Sequence, residues 1–173
     1  QPRLEAWIRG KSGWKENVTR FVEAMFKEGL RERCITRDLD WGVQVPLEGA
    51  EGKVLYVWFD APIGYITSTM EWAEAQGEPE RWRDYWQNPD CRIVHFLGKD
   101  NIPFHCVVFP AMLMGQKDPY TLADNVPANE FYNLQGEKFN TTRGWYIDFD
   151  DFMSKYPVDA LRYMLAASGP ETR

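Results

Sequence analysis

The sequence predicts an α/β fold built on a parallel sheet. Short apolar runs rich in β-formers alternate with longer stretches of helical periodicity, which is the strand–helix–strand grammar of such folds. Polar, glycine-bearing segments follow those runs, at the strand ends where open parallel sheets bind their ligands. The 173 residues are 44% hydrophobic and 15% aromatic, with eight Trp, which suits one ordinary core and excludes a disordered chain. The net charge of −6 provides no global basic field for nucleic acid, although Lys and Arg can still cluster on one face.

The elements follow in order. Ser12 can cap a helix that begins near Trp14, in which Val18, Phe21, Val22, Met25 and Phe26 recur at helical spacing until Gly29 stops it. Cys34 to Asp40 reads as an irregular connector. Val43 to Pro46 can form a short strand, followed by a turn through Gly49 and Gly52. Val54 to Phe59 (VLYVWF) has the near-continuous apolar character of a strand buried on both faces. Asp60 can cap the next helix, with Pro62 in its first turn; it runs to about Ala75 and ends at Gly77. A short helix after Pro79 carries Trp82, Tyr85 and Trp86. Arg92 to Leu97 is a second apolar strand, followed by Gly98-Lys99-Asp100-Asn101 and a helix from about Ile102 to Met114. Phe131 to Leu134 is a third strand, and Gly136 to Gly144 a polar loop. The tail from Phe149 to Ala167 is helical with a break near Pro157. In its last helix Asp159, Leu161, Arg162 and Leu165 give a mixed, half-buried face.

Cys34, Cys91 and Cys106 are scattered and form no CxxC pair, so no zinc site is expected. Free thiols fit a reducing cytoplasm. No run of eighteen apolar residues suggests a membrane span. The opening QPRLEAWIRGKSGW lacks the order of a signal peptide, and a first residue other than Met leads to the expectation of a chain cut from something longer.

Three clusters could carry chemistry. In YVWFDAPIGYI, Trp58 and Tyr65 are aromatics separated by the small residues Ala61, Pro62 and Gly64, a pattern that makes a slot for an apolar ligand such as a thioether. A plain buried strand and helix start would look the same. In FLGKDNIPFH, Gly98 lets backbone approach a ligand, and Asp100 can cap a helix or accept hydrogen bonds from ribose hydroxyls. His105, one turn further, suits a wall or hydrogen-bond partner of the first slot. In QGEKFNTTRG, Lys138, Arg143, glycines and small polar side chains can bring cations, amides and hydroxyls to a polyphosphate. The spacing is not that of a Walker loop, and many loops of this composition are only solvated turns.

Taken in order, these motifs resemble the class I aminoacyl-tRNA synthetases, and the methionyl branch in particular. YVWFDAPIGYI is similar to that branch's methionine-pocket signature. GKDNIPFH with FPAML resembles its next strand–helix unit, and EFYNLQGEKFNTTRG its second ATP signature, known by the letters KMSKS. CITRDLDWG resembles the return from an inserted connective domain, so the likeness covers essentially the whole chain.

The resemblance implies the second half of a Rossmann-like parallel-sheet nucleotide-binding fold, followed by a short helical segment. Residues 1–42 would return from the connective insertion, 43–146 would form the C-terminal half of the catalytic domain, and 147–173 would begin a helical stem-contact region. It places Trp58, Ala61, Pro62, Tyr65 and His105 around methionine. Gly98 and Asp100 would hold ribose and adenylate, with Gln44 near the ribose. Lys138, Phe139 and Thr141 would occupy the KMSKS position, with Thr141 replacing its second lysine. Lys138 and Thr141 would then be the catalytic pair. The implied activity is ATP- and Mg²⁺-dependent activation of methionine and its transfer to tRNA(Met). No HxGH motif, the family's other ATP signature, occurs here: the two histidines are His95 and His105. The expectation is that an N-terminal half of the same protein supplies it and that these residues alone are inactive. The alternative is a non-catalytic module that binds tRNA or a protein.

Overall fold

Pro2 opens α1 (Pro2–Arg9) at a position where its missing N–H leaves no helical bond unmade. In this computed structural model, which describes residues 1–170, Leu4 and Ile8 lie one turn apart on α1 and are both buried. α2 (Glu16–Glu28) repeats the pattern with Val18 and Val22, which have no exposed surface. Gly29 ends α2 with a φ of 82°, as its position suggested. Ser12 does not cap this helix; Lys15 holds the cap position, and no side chain bonds there. Phe21 faces outward.

The segment expected to be an irregular connector contains β1 (Thr36–Asp38), which pairs antiparallel with β2 (Lys53–Leu55). Val43 to Val45 flanks the other edge of β2: the N–H of Leu55 donates to the Val43 carbonyl and that of Val45 to the Lys53 carbonyl. Val54, 1% exposed, is the centre of this small ladder. The expected strand from Val54 to Phe59 therefore ends early. Tyr56 makes a last bond to Ile35, and α3 (Val57–Asp60) then begins, so Trp58 sits in a helical turn. Beyond Tyr56 the ladder offers no partner, and the amides of Phe59 and Asp60 bond to the Tyr56 carbonyl instead. An apolar run of this length does not by itself distinguish strand from helix. Asp60 makes no side-chain cap, because the chain is already helical when it arrives there.

A 3₁₀ turn (Ala61–Ile63) leads into α4 (Gly64–Ala75), and the chain turns at Gly77 with a φ of 74°. α5 (Arg83–Trp86) follows, with Trp82 and Trp86 buried beneath it.

The parallel sheet is built from two short pairs. β3 (Ile93–Val94) pairs with β5 (Ala123–Asn125), and β4 (Leu97–Gly98) with β6 (Ala128–Asn129). The N–H groups of His95 and Leu97 donate to Asn125 and Pro127, so 93–98 behaves as one interrupted strand, as its sequence suggests. Its partner is not Phe131 to Leu134. Those residues lead into β7 (Asn133–Leu134), which forms a hairpin with β8 (Glu137–Lys138) across Gln135 and Gly136, both at positive φ. The true partner, ADNVPAN, escapes a propensity reading because it contains Pro and Asn.

After a 3₁₀ turn (Lys99–Asn101), the expected helix from Ile102 to Met114 is interrupted by a π-helical turn at Phe104–Val108, and α6 (Phe109–Met114) completes it. One core joins α1 and α2 to the π turn and β5–β6 through Leu4, Trp14, Val18, Val22, Cys106 and Val126. A second joins α4, α5 and α6 through Ile66, Trp86, Phe109 and Leu113. The result is a mixed α/β fold with parallel strand pairs, the class expected.

Asp148 caps α7 (Phe149–Lys155), accepting from the amides of Asp150 and Asp151 at 2.9 and 3.1 Å. α8 (Val158–Ala167) follows Pro157. The expected half-buried face is not formed: Leu161 is half-buried, while Asp159, Arg162 and Leu165 are exposed, because no described element packs over them. Among the described residues, no helix is long and apolar enough to cross a membrane.

Candidate functional site

The π turn brings the first two clusters together. Its Phe104 ring stacks on Trp58 of α3, with centroids 4.7 Å apart and planes 15° from parallel. The next residue, His105, reaches Tyr65 of α4, whose hydroxyl lies 3.0 Å from Nε2. His105 Nδ1 is 3.0 Å from the Asn101 carbonyl, which can only accept, so Nδ1 carries the proton. Burial lowers the pKa of His105, and the bond to Asn101 opposes this in part. The neutral ring thus presents a bare Nε2, and the Tyr65 hydroxyl donates to it. Pro62 is buried in the 3₁₀ turn between α3 and α4, whereas Ala61 is exposed.

Trp58 and the Tyr65–His105 pair do not line one closed slot. A cavity of about 680 Å³ opens beside Trp58, walled by Met25, Leu30, Ile35, Tyr56 and Phe104. Tyr65 and His105 lie outside it. They belong to an aromatic group with His95 and Phe109, whose centroids are 5.1–6.3 Å apart. Phe104 and His95 were missed as individual site residues, although Phe104 lies within FLGKDNIPFH and His95 immediately precedes it.

The second and third clusters meet at Phe131. The Lys99 ammonium is 4.6 Å from the centre of its ring and the Lys138 ammonium 3.7 Å. Lys99 also pairs with Glu130, which accepts from Asn17 Nδ2 at 3.2 Å; these two bonds hold the Glu130 carboxyl below the usual carboxylate range. A Cβ at Gly98 would approach Asp100 Oδ1 to 3.0 Å, so the glycine makes room for that carboxylate, which is exposed and caps nothing. Thr141 is exposed, and its carbonyl accepts from Gly144 in a turn closed by paired bonds between Asn140 and Trp145. Phe139 packs near Tyr132, with centroids 6.3 Å apart. Gln44 is exposed and held by its backbone bridge to Val54; among the described residues it makes no hydrogen bond to Gly98 or Asp100.

Burial, and then the neighbouring His105, lower His95 from the ordinary histidine value to about 4. Because the folded pKa lies below the unfolded one, the unfolded chain takes up protons first as pH falls. This destabilisation is absent above about pH 7, grows as pH drops through 6.5 towards 4, and is then complete. The melting temperature is expected to fall by several degrees between about pH 7.5 and 5. A His95→Phe variant should show a shallower fall; equal slopes would contradict this.

The family described as tRNA synthetases class I (M) matches residues 1–173. The methionine–tRNA ligase of Protochlamydia amoebophila is 54% identical over 172 residues, and that of Salinibacter ruber is 56% identical over 186. They cover 99% and 100% of this chain, which in turn spans about a quarter of their length, 24% and 26%. Among solved structures, Mycobacterium tuberculosis methionyl-tRNA synthetase in complex with methionyl-adenylate is similar with a TM-score of 0.75 and 31% identity, over 95% of this chain and 31% of that one. With an α/β fold of matching topology and a family match along its whole length, the chain belongs to the class I tRNA synthetases of the M group.

Proposed function

We propose that this chain is part of the catalytic domain of a methionine–tRNA ligase, acting in the cytoplasm. The observation that carries the reading is the 54–56% identity to methionine–tRNA ligases along the entire chain. The geometry agrees with it: a neutral His105–Tyr65 pair and a stacked Trp58–Phe104 pair flank the turn holding Ala61 and Pro62.

In the reaction, a methionine carboxylate oxygen attacks the α-phosphorus of ATP and displaces pyrophosphate, giving methionyl-adenylate. A terminal ribose hydroxyl of tRNA then attacks the carbonyl carbon and releases AMP. Mg²⁺ enters with ATP as part of the substrate. Tyr65 and His105 meet the methionine side chain from one side and Trp58 from the other, with the turn of Ala61 and Pro62 between them. Gly98 and Asp100 receive the ribose, with Gln44 at its periphery. Lys138 leaves Phe131 to offset charge on the phosphates, helped by Phe139 and the Thr141 hydroxyl, and such charge stabilisation supplies most of the rate.

The test is exchange of labelled pyrophosphate into ATP by the longer protein that includes this chain and an HxGH segment. Exchange is expected to require methionine, with an analogue one methylene shorter poorer by about 10–200-fold. The 173 residues alone should give only background. Exchange independent of methionine would overturn the reading.

A further inference from the structure

His95 lies between the strands β3 and β4 and takes no part in the proposed reaction. Its ring, with those of Tyr65 and His105, forms a nearly equilateral triangle, with centroid separations of 5.1 Å to His105, 5.5 Å to Tyr65 and 5.8 Å between those two. Phe109 closes the base, 6.3 Å from both Tyr65 and His95. The direction of the Tyr65–His105 bond depends on two conditions. Asn101 must hold the proton of His105 on Nδ1, and the rings must stay close enough for the 3.0 Å contact at Nε2. The first condition is met by the backbone. The second is met from the side, and His95 is the ring that touches both partners there.

We propose that His95 is a positioning residue of the amino-acid pocket: its ring braces Tyr65 against His105 and so fixes where the tyrosine ring stands against the bound side chain. The inference rests on the reading of Tyr65 and His105 as walls of the methionine site. Among the described residues the His95 ring makes no hydrogen bond, so its contribution is through shape. A ring of similar size can therefore replace it, whereas an aliphatic side chain cannot.

The longer protein is used, and the Michaelis constants for methionine and ATP are measured in pyrophosphate exchange. His95→Ala is expected to raise the methionine constant about tenfold, with that for ATP and kcat within twofold, and His95→Phe to restore the methionine constant to within about threefold. If His95→Ala does not fold, His95→Leu fills the space without a flat ring and is read in the same way. A methionine constant unchanged in the aliphatic variant, or raised equally in His95→Phe, overturns the proposal. So does a parallel rise for methionine and ATP. Tyr65→Phe separates the two readings. If it raises the methionine constant while His95→Ala does not, only the role of His95 fails. If neither variant moves it, the assignment of the pocket itself fails.

Discussion

Replacing Phe109 by alanine is expected to lower the stability of the protein by about 3–5 kcal/mol, the range for removing a large aromatic from a packed core. Phe109 is 2% exposed and is the first residue of α6 after the π turn. Its ring lies 6.1 Å from Trp86 and 6.3 Å from both Tyr65 and His95, so it supports the second core on one side and the aromatic site on the other. A void there cannot be filled by its neighbours without moving α4 or the strand carrying His95. Phe109→Leu, which keeps most of the volume, should cost less than half as much. Urea unfolding monitored by tryptophan fluorescence measures both. A loss below about 1 kcal/mol for the alanine variant would show that this ring is not central to the core.

Trp58→Ala is expected to weaken methionine binding by about tenfold to a hundredfold, while ATP binding changes by less than about twofold. Trp58 is held flat on Phe104 and forms a wall of the neighbouring cavity. Removing it takes away apolar contact and frees Phe104, whose neighbour His105 carries the bond to Tyr65. Lys138, proposed above to offset phosphate charge, stands elsewhere, over the ring of Phe131, so it should be little affected. Calorimetric titration with each ligand separates the two effects. Unchanged methionine affinity would mean that the Trp58–Phe104 stack and the Tyr65–His105 pair do not serve the same ligand.

Much of the helical content was legible in the sequence because its signals are local. Val18 and Val22 define the buried face of α2, Gly29 and Gly77 mark chain reversals by positive φ, and Pro157 separates α7 from α8. The sheet was less legible. RIVHFL announced itself through apolar β-formers, but its partner contains Asn125 and Pro127, and its place in the ladder depends on backbone bonds to a segment thirty residues earlier. VLYVWF was misread beyond Tyr56 because hydrophobicity says that a segment is buried without saying whether a strand edge is available to pair with it.

The site divides in the same way. From the sequence alone came the motifs that place Trp58, Tyr65, Gly98, Asp100, His105 and Lys138 in a synthetase-like order, the α/β class and the helix ends. The order of those residues rests on the resemblance of their motifs to a known family, whereas the α/β class and the helix stops at Gly29 and Gly77 follow from composition and short-range spacing. Tertiary structure decided that Tyr65 bonds to His105 across 40 residues, that His95 joins them, that Trp58 faces a different wall through Phe104, and that Lys99 and Lys138 share the ring of Phe131. It also decided that Trp14 reaches across 110 residues to donate to the Asp124 carbonyl, tying the region before α2 to the parallel sheet. These contacts depend on how ladders and packed rings close over long stretches of chain, and neither residue type nor local spacing carries that information.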